Sequence, residues 1–101
     1  PPACYWDSIT ADVADARTAI FENYPYAVLN LCRVLAYAWT GRVLSKQSGG
    51  EWALDALAPR WHSVVRSALS SYAHGQPVCI DEKESAAFCE QLLSQIAAVK
   101  M

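Results

Sequence analysis

Apolar residues recur every three or four positions along most of the chain, a spacing that lines them up on one face of a helix. The first stripe, Ile9, Val13, Ala16 and Ile20, predicts a helix from about Ser8 to Phe21, with Asp7 or Ser8 as its cap. Glu22, Asn23 and Tyr24 interrupt the pattern, and Pro25 then suits the first turn of a second helix, where its missing N–H is no loss. Asn23 or Tyr24 would sit just before that helix, asparagine being the better cap. The second helix runs to about Thr40 and carries Val28, Leu31, Cys32, Leu35 and Trp39, with Val34 and Tyr37 widening the apolar arc. A helix hydrophobic nearly all round belongs at the centre of a fold. Gly41 is a natural stop, because glycine tolerates the left-handed conformation that ends a helix.

Ser45 could cap a third helix reaching about Leu57, with Trp52, Ala53, Leu54 and Leu57 on its buried side. Gly49 and Gly50 would lie inside it, each costing roughly 1 kcal/mol against alanine. Two adjacent glycines in a helix point to close approach of another backbone. The alternative start is Ser48, with Glu51 three residues on as a capping box. Pro59 opens a fourth helix to about Ala73, striped by Trp61, Val64, Val65, Ala68, Leu69 and Tyr72. Gly75 stops it and QPVCI links it onward. Asp81 and Glu84 form another capping-box pattern before a fifth helix carrying Phe88, Leu92, Ile96 and Val99. No strand pattern, internal repeat or linker stands out. The expected fold is all-α, a single-domain five-helix bundle whose short connections favour antiparallel neighbours.

Composition narrows the partners. Of 101 residues, 53% are hydrophobic and 18% charged, enough apolar material for one core and too much for a disordered chain. Eight basic and ten acidic side chains leave a formal charge of -2, which argues against nucleic acid and against a polybasic membrane anchor. No apolar run approaches the roughly 18 residues of a membrane span. The opening PPACYWDSIT lacks a basic region followed by an apolar stretch, so it does not read as a signal peptide. It begins without methionine, which fits a fragment or removal of Met before proline. Cys4, Cys32, Cys79 and Cys89 form no CxxC or CxxxC pair, and His62 and His74 are far from them, so neither zinc nor a disulfide framework is expected. Cys32 and Cys89 read as small buried hydrophobes, and a reducing cytoplasm is the simplest setting.

Catalytic signatures are missing: no P-loop, GxGxxG, HExxH or GxSxG is present. Two cations stand out. Arg33 lies among Leu31, Cys32, Val34, Leu35 and Ala36, and an enclosed guanidinium needs an anion or several acceptors. It either pairs with an acid of the chain, reaches water along its stem, or binds an anionic ligand. Lys46 falls in the first turn of a helix, where its charge opposes the local dipole. It is either a solvated lysine or an anion contact helped by nearby N–H groups. Tyr72 is on an apolar stripe and reads as core.

The string AVLNLCRVLAYAWTGRVLSKQSGGEWALDAL, Ala27 to Leu57, resembles the C-terminal helical domain of the streptomycin/spectinomycin type of aminoglycoside nucleotidyltransferases. The resemblance is carried by the LxLCR helix, Leu29 to Arg33 with Tyr37, by the TG…SK segment, Thr40 to Lys46, and by the GxWAL helix, Gly50 to Leu54. It covers about Asn23 to Gly75, and the last helix loosely. It implies an antibiotic-resistance transferase in which an N-terminal domain binds Mg2+ and activates the drug hydroxyl, while the helical domain closes the cleft. AMP is then transferred from ATP and pyrophosphate leaves. The chain alone would be inactive and bind no cofactor of its own. The resemblance assigns Arg33, Lys46 and Tyr72 to the ATP phosphates. It places Glu22, Asn23 and Tyr26 toward the aminoglycoside, with Trp6 and Asp7 or Asp15 as the nearest upstream candidates. Asn23 stands where the family carries an acid. The alternative function is a helical protein–protein interaction or dimerisation module, and a weak homodimer is compatible with either reading.

Overall fold

The computed structural model describes residues 16–75 and 81–100. These form five α-helices and no strand: α1 (Ala16–Glu22), α2 (Tyr24–Thr40), α3 (Lys46–Ala56), α4 (His62–His74) and α5 (Glu82–Lys100), with a 3-10 turn at Pro59–Trp61 before α4. Ile9, Val13 and the caps expected at Asp7 or Ser8 lie outside the described residues, as do Cys4 and Cys79.

α2 is the central helix and touches each of the other four. α1 and α5 pair on one flank, while α3 and α4 pair on the other. The reason is the composition of α2: Ala27, Val28, Leu29, Leu31, Cys32, Val34, Leu35 and Ala36 are all buried, so apolar surface faces almost every direction. Burying each large aliphatic side chain contributes about 1.5–3 kcal/mol. Ile20 from α1, Ala53 from α3, Val64, Val65 and Ala68 from α4, and Phe88, Cys89, Leu92 and Ile96 from α5 join those of α2 in the core, with Leu57 and Trp61 from the α3–α4 connection. Trp61 meets Phe88 edge to face at 5.6 Å. The buried Tyr24 hydroxyl donates to the Val64 carbonyl at 3.2 Å, tying the start of α2 to α4. Arg17 forks onto Glu90, its Nη2 donating to Oε1 at 3.0 Å, and so fastens α1 to α5 across the surface.

The helix ends show which local signals the chain uses. Pro25 sits in the first turn of α2, and Gly41 ends that helix at φ 74, donating its N–H to the Tyr37 carbonyl. Ser45 caps α3, its hydroxyl accepting from the Ser48 N–H at 3.0 Å, so the helix does not wait for Ser48 to begin. Asp81 caps α5 by accepting from the Glu84 N–H at 3.0 Å. The Glu84 carboxylate also accepts from the Ser63 hydroxyl, which ties the start of α5 to α4. Asn23 occupies the cap position of α2 but its side chain makes no capping hydrogen bond.

Three apolar assignments need correction. Trp39 is 45% exposed, since it lies on the last turn of α2 and leans edge-on against Trp52 at 5.7 Å. Val99 is exposed for the same reason, near the end of α5. Tyr72, on the last turns of α4, is exposed as well and is no core residue.

Candidate functional site

One stripe of α2 departs from its apolar character. Asn23, Tyr26, Asn30 and Arg33 follow one another at spacings of three, four and three, which stacks them along a single helix face. None of the four is fully buried. The Nε–H of Arg33 donates to the Asn30 side-chain oxygen at 3.0 Å, a bond between successive turns that sets the direction of the guanidinium. Asn30 was not legible as a partner from composition; its i, i+3 spacing to Arg33 is the signal that identifies it.

α3 crosses this stripe closely. A Cβ built on Gly49 would lie 2.7 Å from the Arg33 Cβ, 2.9 Å from its Cα and 3.0 Å from its N. A Cβ on Gly50 would lie 2.7 Å from methyl carbons of both Leu29 and Leu69. The double glycine is therefore what lets α3 dock against α2 and α4. It brings the first turn of α3 beside the polar stripe of α2. Ser45 satisfies the Ser48 N–H, and Gly49 donates to the Ser45 carbonyl at 2.8 Å. Helix geometry leaves the Lys46 and Gln47 N–H groups without an acceptor inside the helix.

Lys46 projects back onto α2: its Nζ is 5.7 Å from the centre of the Tyr26 ring, within cation–π range. The same ring meets Tyr72 of α4 edge to face, at 5.4 Å and 85°. Three helices thus converge on Tyr26. The corner contains an arginine held by Asn30, a lysine on an aromatic ring, a second phenol, and a helix N-terminus with its partial positive charge. Chemically it suits an anion, and its exposed ring offers a seat for a cation.

Of the residues singled out from the sequence, Arg33, Lys46, Tyr26 and Tyr72 occur in this corner. Asn23 stands one turn before Tyr26 on the same stripe. Its N–H donates to the Ala19 carbonyl at 2.7 Å and its carbonyl accepts from Ala27 at 3.0 Å, so its backbone joins α1 to α2 while its side chain is exposed. Glu22 is exposed at the end of α1, and among the described residues nothing joins its side chain to the aromatic cluster. Asp15, Trp6 and Asp7 lie outside the described residues. A second polar recess of about 120 Å³ near the start of α5 is lined by Tyr24, Ser63, Ser67, Asp81, Glu84 and Ser85, none of them an expected site residue.

Among the described residues no three His, Cys, Asp or Glu side chains converge on a metal position, and no helix is long and apolar enough to cross a membrane. The fold and its corner define an all-α domain with a basic, aromatic surface where α2, α3 and α4 meet. Residues 1–95 match the family model described as aminoglycoside adenylyltransferase, C-terminal domain, and the chain belongs to that family. No curated protein and no solved structure gives a significant match.

Proposed function

We propose that this chain is the substrate-closing domain of an aminoglycoside O-adenylyltransferase. Arg33, Lys46 and Tyr72 meet the phosphates of ATP, while Asn23 and Tyr26, together with Glu22 and Asp15, receive the aminoglycoside. The observation that carries the reading is the convergence of Lys46 and Tyr72 on Tyr26, with Arg33 one turn pair further along the same face of α2. A drug hydroxyl attacks the α-phosphorus of ATP, AMP is transferred, and pyrophosphate leaves. Charge grows on the leaving oxygens, and fixed cations and N–H groups around them lower the barrier. Mg2+ and the carboxylate that takes the hydroxyl proton belong to an N-terminal nucleotidyltransferase domain. Asn23 supplies a dipole to the drug, and Tyr26 supplies a π face for an ammonium.

The test has two arms. The 101-residue chain incubated with ATP, Mg2+ and streptomycin or spectinomycin should release no pyrophosphate. Joined to the nucleotidyltransferase domain, it should support release, and Arg33→Ala should then remove about 2–4 kcal/mol of transition-state stabilisation. Turnover by the chain alone would overturn the division of labour between domains. An Arg33→Ala enzyme with unchanged turnover and nucleotide affinity would reduce Arg33 to a structural arginine held by Asn30.

A further inference from the structure

Tyr26 is shared between side chains of two other helices. Its ring carries the Lys46 ammonium at 5.7 Å and the edge contact with Tyr72 at 5.4 Å, yet 45% of the residue is still open to solvent. On the reading given under Proposed function, on which this inference rests, the same ring faces a ligand rich in ammonium or guanidinium groups. Lys46 has a second destination there, the triphosphate. Two cations crowded onto one ring repel each other, so a cationic ligand seated on Tyr26 and Lys46 parked on Tyr26 are competing states.

We propose that Tyr26 is a relay between the two ligand positions. Without ligands its ring parks Lys46. A triphosphate that draws Lys46 away uncovers the ring for the cationic sugar, and a cationic sugar that takes the ring releases Lys46 to the triphosphate. Each ligand removes a competitor of the other, and by linkage the two affinities rise by the same factor. The ring and not the hydroxyl carries the effect, so Tyr26→Phe retains it and Tyr26→Leu abolishes it. The size is set by the cation–π contact that has to be broken, about two- to five-fold in affinity at an exposed site.

The experiment follows the Lys46 Hε protons by NMR in the chain joined to the nucleotidyltransferase domain, with inorganic tripolyphosphate and streptomycin as the probes. The ring shifts those protons upfield in the ligand-free protein, and either probe alone should move them toward the random-coil position. Tripolyphosphate affinity is then measured with and without saturating streptomycin. In Tyr26→Leu, tripolyphosphate alone should bind about two- to five-fold tighter than in the wild type, because no ring holds Lys46 back. The enhancement by streptomycin should shrink by the same factor, leaving only the direct attraction between the two ligands. A purely structural role for Tyr26 would weaken binding instead, and that result would overturn the relay. Signals of Arg33 or Tyr72 that respond to the probes while Lys46 Hε stays upfield would also overturn it, with the phosphate site left standing. Silence of every corner signal toward both probes would overturn the site and the relay together. Should Tyr26→Leu fail to fold, the displacement of Lys46 in the wild-type protein decides alone.

Discussion

At Gly49 the obstacle to a side chain is the backbone of Arg33, with Cα at 2.9 Å and N at 3.0 Å from where a Cβ would stand. Gly49→Ala gains about 1 kcal/mol of helix propensity but overpacks a contact that no rotamer change relieves, at a cost of about 1–3 kcal/mol. The expected outcome is a net fall in melting temperature. Gly50→Ala should lie closer to neutral, because it meets methyl ends of Leu29 and Leu69, and Leu69 is only partly buried. Thermal unfolding of the two variants side by side checks the difference. Tyr24 gives a second residue-scale prediction. Burial pushes its phenol up to about 12, partly countered by a hydrogen bond with Ser85. The unfolded phenol loses its proton near pH 10, so between pH 10 and 12 the unfolded chain binds fewer protons than the folded one. The stability from this group is therefore complete below pH 10 and falls as pH rises through 12. Burial likewise holds the Cys32 and Cys89 thiols above their ordinary value, which adds loss in the same direction from about pH 9. Tyr24→Phe should flatten its share of the alkaline decline, while costing about 1 kcal/mol at neutral pH for the lost bond to Val64.

At the scale of elements, capping decides where α3 starts and so where Lys46 sits. Ser45→Ala should cost about 1 kcal/mol, seen as a lower denaturation midpoint, and Ser45→Asp should preserve the cap. Fraying of that first turn should also move the Lys46 signals in an NMR spectrum, whereas loss of the Asp81 cap in Asp81→Ala should leave them unchanged. The element starts were legible because Pro25, Ser45, Pro59 and Asp81 act through their immediate neighbours. What was not legible came from the packing of distant segments. Periodicity placed Trp39 on the apolar arc of α2, but burial depends on how much the neighbouring helices cover, and an edge contact with Trp52 of α3 leaves Trp39 45% exposed. Glu84 has capping-box spacing, but that spacing says nothing of the bond its carboxylate accepts from Ser63 on another helix. The unusual setting of Arg33 could be read from its own neighbours. Tyr26 could not be recognised as the meeting point of positions 26, 46 and 72 until three helices were placed around it.

For the whole molecule, α2 holds the bundle together from within, while the Arg17–Glu90 pair closes α1 over α5 from outside. Both partners are more than half exposed, so the pair is screened by salt and adds little to the global stability. Its pH dependence has a definite sign. The hydrogen bond and charge of Arg17 hold the Glu90 carboxyl below the ordinary carboxylate range. The contribution is present above the unfolded carboxylate pKa and is lost as pH falls through the depressed folded value. Arg17→Ala should remove this part of the acid-side decline and have less effect in high salt, as read from denaturation midpoints at low and moderate ionic strength. The core beneath should keep its melting cooperativity, because Ile20 is fully buried and holds α1 independently of the ion pair.

The contact between Gly49 and Arg33 also has a meaning in the language of codons. All glycine codons share their first two bases, and every missense change from them by one base introduces a Cβ. At position 49 each of those neighbours meets the same backbone, so the position has no permissive exit by a single base. Gly41 is closed differently: nothing lies within 4 Å of its missing Cβ, and only its φ of 74 resists a side chain. Aspartate tolerates that backbone region better than most residues and is one base away from half of the glycine codons. A saturation library should therefore show a uniformly depleted column at 49 and a column at 41 in which asparagine and aspartate survive. The two glycines bracketing the junction of α2 and α3 would be told apart by sequencing alone, one by lack of room and the other by backbone angle.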